Sequence, residues 1–118
     1  MEEAAKRRLE AAGIDVDDAL GRFLQNEALM MKFLGRFPAD TSFSRLQEAM
    51  ERGDAAQAFE AAHTLKGVAG NLSLKRLYEA LTPMVEELRA GDLAAAAARM
   101  DEAELWYSRA AEALDGLS

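Results

Sequence analysis

The amino-acid sequence predicts an all-α protein, an antiparallel four-helix bundle with short N-terminal helices capping it. Three observations predict this. Ala, Leu, Glu, Arg and Met dominate, and these residues lose least on entering a helix. The β-branched strand formers valine and isoleucine are scarce, with only Val16, Val68, Val85 and Ile14. Periodic apolar stretches are punctuated by Gly13, Gly53-Asp54 and Gly91-Asp92, where a glycine suits one helix end and an aspartate suits the next helix start.

The elements follow in order. A short helix from about Glu2 to Ala12 stops at Gly13. Asp15 can cap the next, with Asp18 near the positive end of its dipole. Asn26 can cap a third segment carrying Leu29, Met30, Phe33, Leu34 and Phe37, which Pro38 ends or kinks, and Met30, Met31, Phe33 and Phe37 form an apolar set expected in the core. Thr41 to Arg52 places Phe43, Leu46 and Met50 on one face. Asp54, with Gln57 at the reciprocal capping position, starts a helix to about Leu72. Ser73 can cap another to Arg89-Ala90, which Pro83 should kink or restart. Asp92 caps a last helix to about Asp115, containing the Ala94–Ala98 tract, and Trp106 packs in or beside the core. Helices of this length joined by tight turns pack as antiparallel neighbours. One domain with one core is expected over residues 1–118.

The formal net charge of −7 and the single tight basic run, Lys6-Arg7-Arg8, argue against a nucleic-acid partner, which needs clustered cations. With no cysteine there is neither a disulfide framework nor thiolate chemistry. One histidine and no cysteine leave no zinc-ligand set, and neither a metal nor another cofactor is expected. No apolar run approaches the roughly 20 residues of a membrane span. The N-terminus has no signal-peptide pattern, so a cytoplasmic location is expected.

The chemistry concentrates on that lone histidine, His63. Successive helical residues rotate by about 100°, which puts Leu65, Val68 and Leu72 at about 200°, 140° and 180° from it. The apolar stripe thus faces away from His63. Lys66, Gly67 and Gly70 lie within about 60° of it, and Phe59 lies about 40° away, an aromatic beside the site that is a candidate partner contact. This pattern presents an imidazole to solvent. A neutral imidazole is a good nucleophile near neutral pH. Lys66, one turn along, can pair with an anion, and Gly67 and Gly70 leave clearance for an approaching partner.

The segment His63-Thr64-Leu65-Lys66-Gly67-Val68-Ala69-Gly70-Asn71-Leu72 resembles the signature of histidine-containing phosphotransfer (HPt) domains, and Gly13-Ile14-Asp15-Val16-Asp17-Asp18-Ala19-Leu20 resembles the family's helix start. The resemblance implies a helical bundle that relays phosphoryl groups in multistep two-component signalling. It implies His63 as phosphoacceptor, Lys66 as phosphoryl stabiliser and Gly67 as docking clearance. The implied partners are receiver domains of response regulators or hybrid histidine kinases, and the implied state is a monomer. Two positions depart from the pattern. Ser73 stands where the family often has glycine, and Val85, beside Glu86, stands where several members carry a glutamine or glutamate that bonds the imidazole. No hydrogen-bond partner of His63 is assigned from the sequence.

The sequence has no nucleotide-binding loop, so autonomous kinase activity is not expected. A histidine kinase's dimerising helices normally carry an acidic residue after the histidine, where Thr64 stands here. The alternative is an interaction module that docks receivers without taking phosphate.

Overall fold

The computed structural model describes residues 1–117. Among them are eight α-helices, α1 (Glu3–Ala11), α2 (Val16–Arg22), α3 (Glu27–Leu34), α4 (Ser42–Arg52), α5 (Ala55–Asn71), α6 (Lys75–Arg89), α7 (Leu93–Ala97) and α8 (Met100–Leu114), with a 3₁₀ turn at Phe37–Ala39. The long helices α4, α5, α6 and α8 make an all-α four-helix bundle. α5 packs between α4 and α6, α6 also packs on α7 and α8, and α1 packs on α8.

Local chemistry sets most helix starts. The carboxylates of Asp15, Asp54 and Asp92 and the amide oxygen of Asn26 accept the N–H groups of Asp18, Gln57, Ala95 and Leu29 at 3.0–3.1 Å. The Gln57 side chain makes no reciprocal bond; it lines a surface groove instead. α4 starts without a cap of this kind. Thr41 makes no side-chain cap, and Asp40 accepts from the Ser42 N–H at 2.8 Å.

The ends of α1, α2, α4, α5 and α6 share one geometry, in which a residue with left-handed backbone is followed by one whose N–H bonds back five positions. Gly13 does this at φ 90°, with Ile14 N–H on the Leu9 carbonyl. Gly13 is also pinned sterically, since a Cβ there would lie 2.7 Å from Arg76 Cβ. Ser73 takes the same role at the end of α5, at φ 57°, with Leu74 N–H bonded to the Ala69 carbonyl at 2.8 Å. This corrects the expectation that Ser73 caps α6. Leu74 stands at that N-cap with no side-chain bond, and Ser73 terminates α5.

The left-handed region costs a non-glycine residue roughly 1–2 kcal/mol. Ser73 offsets this with its hydroxyl, which donates to Asp18 Oδ2 at 2.6 Å and accepts from Arg22 Nε at 3.0 Å. Asp15 N–H donates to the Ser73 carbonyl, and Arg76 N–H donates to the Gly13 carbonyl. The α1–α2 turn is thereby fastened over the α5–α6 turn, so the N-terminal helices cover that end of the bundle. Leu24, at φ 55° after α2 and 90 % exposed, is in the same backbone state with no such compensation from its side chain.

The core is lined by Leu9, Ile14, Met30, Leu34, Phe37, Leu46, Leu65, Leu77, Leu81, Met84 and Leu114. Of the apolar set expected from α3, Met30 and Phe37 are buried and Met31 is half-buried. Phe33 is 36 % exposed, stacked on Phe23 with Arg36 over its ring. Two boundaries also differ from expectation. α6 runs unbroken through Pro83, because Leu77, Leu81, Met84, Val85 and Leu88 are buried on both sides of it. That burial outweighs the ~3 kcal/mol an internal proline costs. The last helix is interrupted at Ala98-Arg99, where Arg99 N–H bonds the Ala96 carbonyl in a tighter turn while its side chain reaches Glu87 at 2.6 Å. Trp106 is half-buried against the core, with the guanidinium groups of Arg76 and Arg109 over its ring.

The Ser73 hydroxyl, and Arg22 after it, hold the Asp18 carboxyl below the ordinary aspartate range. A carboxylate depressed in the folded state stabilises above its unfolded pKa and loses that contribution as pH falls through the folded value. Ser73→Ala keeps the backbone strain and loses both bonds, so denaturant unfolding at pH 7 should show a loss of about 1 kcal/mol. The gap from wild type should narrow below about pH 4 as Asp18 protonates, leaving the share of the Arg22 bond. Leu24→Gly should instead stabilise, by about 0.5–1 kcal/mol, since the strain removed outweighs the freedom glycine adds to the unfolded chain.

Candidate functional site

α5 has a two-sided surface. Ala58, Ala61, Ala62, Leu65 and Ala69 are buried between α4 and α6. Four of these five are alanine, which lets the neighbouring helices approach closely and leaves the opposite face uncovered. His63, Thr64 and Gly67 lie on that face and are exposed, and Lys66 and Gly70 are half-exposed. The imidazole thus sits on the rigid middle of a helix held from behind.

His63 forms a ridge between two grooves. One, of about 670 Å³, is lined by Lys66, Gly67, Gly70, Tyr78 and the Asp18–Arg22–Ser73 cluster. The other, of about 440 Å³, runs along α4 and is lined by Arg45, Arg52, Phe59 and Thr64. A partner reaching the imidazole meets opposite charges in both, since Asp18 and Arg22 face one groove and Glu48 and Arg52 the other.

Among the described residues, no side chain hydrogen-bonds the imidazole. Val85, the position at which the sequence left a partner open, is fully buried in the core, and Glu86 is turned to Arg89 at 3.2 Å. His63 does make an aromatic contact. Phe59, half-buried one turn before it on α5, stacks on the imidazole with ring centroids 5.6 Å apart and planes 19° from parallel. The Arg89 guanidinium of α6 lies over the Phe59 ring at 4.7 Å.

Lys66 is held in a comparable way. Its Nζ lies 5.3 Å from the centroid of the Tyr78 ring on α6. The Gly70 position explains how Tyr78 gets there, because a Cβ at Gly70 would lie 3.2 Å from Tyr78 Cε2. The missing side chain at Gly70 thus makes room for Tyr78 from within the chain. Gly67 differs, since a Cβ there would meet nothing within 4 Å and the space outside it is open.

His63, Lys66 and Gly67 are therefore brought to one open face, with Phe59 and Gly70 beside them. Sequence reasoning missed Tyr78, Arg89 and the Asp18–Arg22–Ser73 cluster. The signal for Tyr78 was the glycine at position 70 on the polar face, where a glycine costs helix stability and needs a reason. Arg89 had no local signal. Chemically, the arrangement offers a solvent-facing nucleophile, a cation one turn away and an unobstructed approach beside both. Among the described residues, no group of three His, Cys, Asp or Glu side chains is placed to hold a metal. No described helix is long and apolar enough to cross a membrane.

The family model for the Hpt domain matches residues 33–115, which includes α4 through α8 and the whole His63 face. No curated protein and no solved structure matches the chain significantly.

The two glycines should respond oppositely to alanine. Gly67→Ala should raise stability by about 0.5–1 kcal/mol, since the new methyl group enters open space on a helix. Gly70→Ala should gain little, because the Tyr78 ring must move aside. Thermal unfolding of the two variants measures the difference, and the ring-proton shifts of Tyr78 should change only in Gly70→Ala.

Proposed function

This chain belongs to the Hpt domain family, whose members are phosphotransfer carriers in phosphorelay signalling rather than kinases, and on that premise we propose that residues 1–118 form one unit that carries a phosphoryl group on His63. The group is accepted from the aspartyl phosphate of a receiver domain and passed to the aspartate of another. The observation that carries this reading is the exposed His63 imidazole on the uncovered face of α5, with Lys66 beside it and open space at Gly67.

In the forward step, a ring nitrogen of neutral His63 attacks phosphorus with its lone pair. A nitrogen–phosphorus bond forms as the bond to the aspartyl oxygen breaks, and the aspartate leaves as a carboxylate. The other ring nitrogen keeps its proton. The reverse sequence loads the next receiver. Transfer of this kind is mostly positioning and charge stabilisation. Lys66 supplies a cation for the equatorial phosphoryl oxygens, and Gly67 leaves room for in-line approach. The divalent cation that aspartyl-phosphate chemistry uses comes with the receiver, so this chain holds no cofactor. The carrier acts as a monomer in the cytoplasm.

Incubation with a panel of phosphorylated receiver domains tests the proposal. Transfer should appear with at least one receiver, vanish in His63→Gln, and slow by about tenfold in Lys66→Ala, whose half-exposed cation is worth less than a buried one. Persistence of transfer in His63→Gln would refute the carrier role. Receiver binding without transfer in the wild type would assign a docking module instead.

A further inference from the structure

The carrier reading requires the imidazole to be aimed, yet no hydrogen bond from a described residue aims it. A histidine on an exposed helix face would otherwise exchange between side-chain rotamers. A nucleophile spread over rotamers loses the advantage of a prearranged attack geometry. Among the described residues, the aromatic partner of His63 is Phe59, whose ring lies nearly parallel to the imidazole.

The Phe59 ring is itself braced. Its backbone is in the same helix as His63, one turn earlier, so the pair has the spacing at which helical side chains meet. Arg89 reaches over the ring from α6, and Glu86 grips the Arg89 guanidinium through both carboxylate oxygens, at 3.2 and 3.5 Å. Glu86, Arg89, Phe59 and His63 thus form a continuous line of contacts from α6 to the nucleophile. A planar cation over one aromatic ring and an offset stack between two rings are both favourable arrangements. The stack occupies no ring nitrogen, so the imidazole remains free to attack through one nitrogen and keep its proton on the other.

We propose that Phe59, braced by Arg89, is a positioning residue that holds the His63 imidazole in its outward, reactive orientation by ring stacking in place of a hydrogen bond. The inference rests on the carrier reading. Phe59 acts through His63 and touches no reacting phosphoryl atom. Tyrosine at position 59 preserves the stack, whereas leucine preserves only bulk and apolarity.

The test combines two readouts on the full chain, using the receiver domain that loads the wild type fastest. In Phe59→Leu the His63 ring-proton resonances should lose the ring-current shift of the stack, and Phe59→Tyr should retain it. In single-turnover transfer at saturating receiver, Phe59→Leu should fall about three- to tenfold in maximal rate, Phe59→Tyr should stay within twofold of wild type, and receiver affinity should change less than twofold in both. Arg89→Met should give an intermediate rate, and as an exposed surface change it tests the brace without opening the core. Wild-type transfer rates in Phe59→Leu would overturn the inference, as would a loss confined to receiver affinity, which would make Phe59 a docking contact. Absence of transfer in the wild type would overturn the carrier reading first and this inference with it.

Discussion

The structure depends on the one-sided burial of α5. Leu65 and four alanines fill the space between α4 and α6, and that packing fixes the rotation of the helix about its axis. Burying a leucine side chain is worth about 1.5–3 kcal/mol. A slip of one residue, or about 100°, would expose Leu65 and drive His63 toward the core, adding the cost of burying a polar ring. The outward direction of the imidazole is therefore enforced by the apolar residues behind it. The alanines contribute in a second way. By bringing α4 and α6 close on either side, they let residues of α6 reach around to the functional face.

Those α6 residues divide the support of the site. Arg89 meets Phe59 beside His63, and Tyr78 meets Lys66 in the slot at Gly70. Each functional side chain of α5 is thus accompanied by an aromatic ring rather than by a hydrogen-bonded carboxylate or amide. Contacts of this kind restrict orientation while leaving polar atoms available. The Asp18–Arg22–Ser73 cluster adds polar support at the far end of the same groove, where it fastens the N-terminal helices to the bundle. α5 is held at its end by Ser73 and from behind by Leu65.

Much of this was legible in the sequence where the rules are local. Asp15, Asn26, Asp54 and Asp92 announce helix starts because a short side chain reaches the N–H groups of its own first turn. The placement of His63 opposite Leu65 follows from helical rotation alone. What the sequence concealed involves residues far apart along the chain. Ser73 reads as a helix cap by its chemistry, but its bonds to Asp18 and Arg22 allow it to hold the left-handed position that glycine usually fills. Pro83 reads as a break, but the apolar residues flanking it are buried on a bundle that is already assembled. Gly70 reads as clearance on the polar face, and Tyr78, which takes up part of that space, lies on the next helix. Phe59 was visible as a neighbour of His63, while Arg89, which braces it, lies on another helix.

The central claim is that the solvent-facing imidazole of His63 is the phosphoryl acceptor. Phosphorus-31 NMR of the ¹⁵N-histidine-labelled chain, recorded after loading from a phosphorylated receiver, tests it most directly, because with one histidine in the sequence any phosphorus–nitrogen coupling to labelled imidazole can only come from His63. The account predicts a single phosphoramidate resonance coupled to one ring nitrogen and abolished by acid. A phosphorylated chain showing no such coupling, with its phosphate stable to acid, would contradict it.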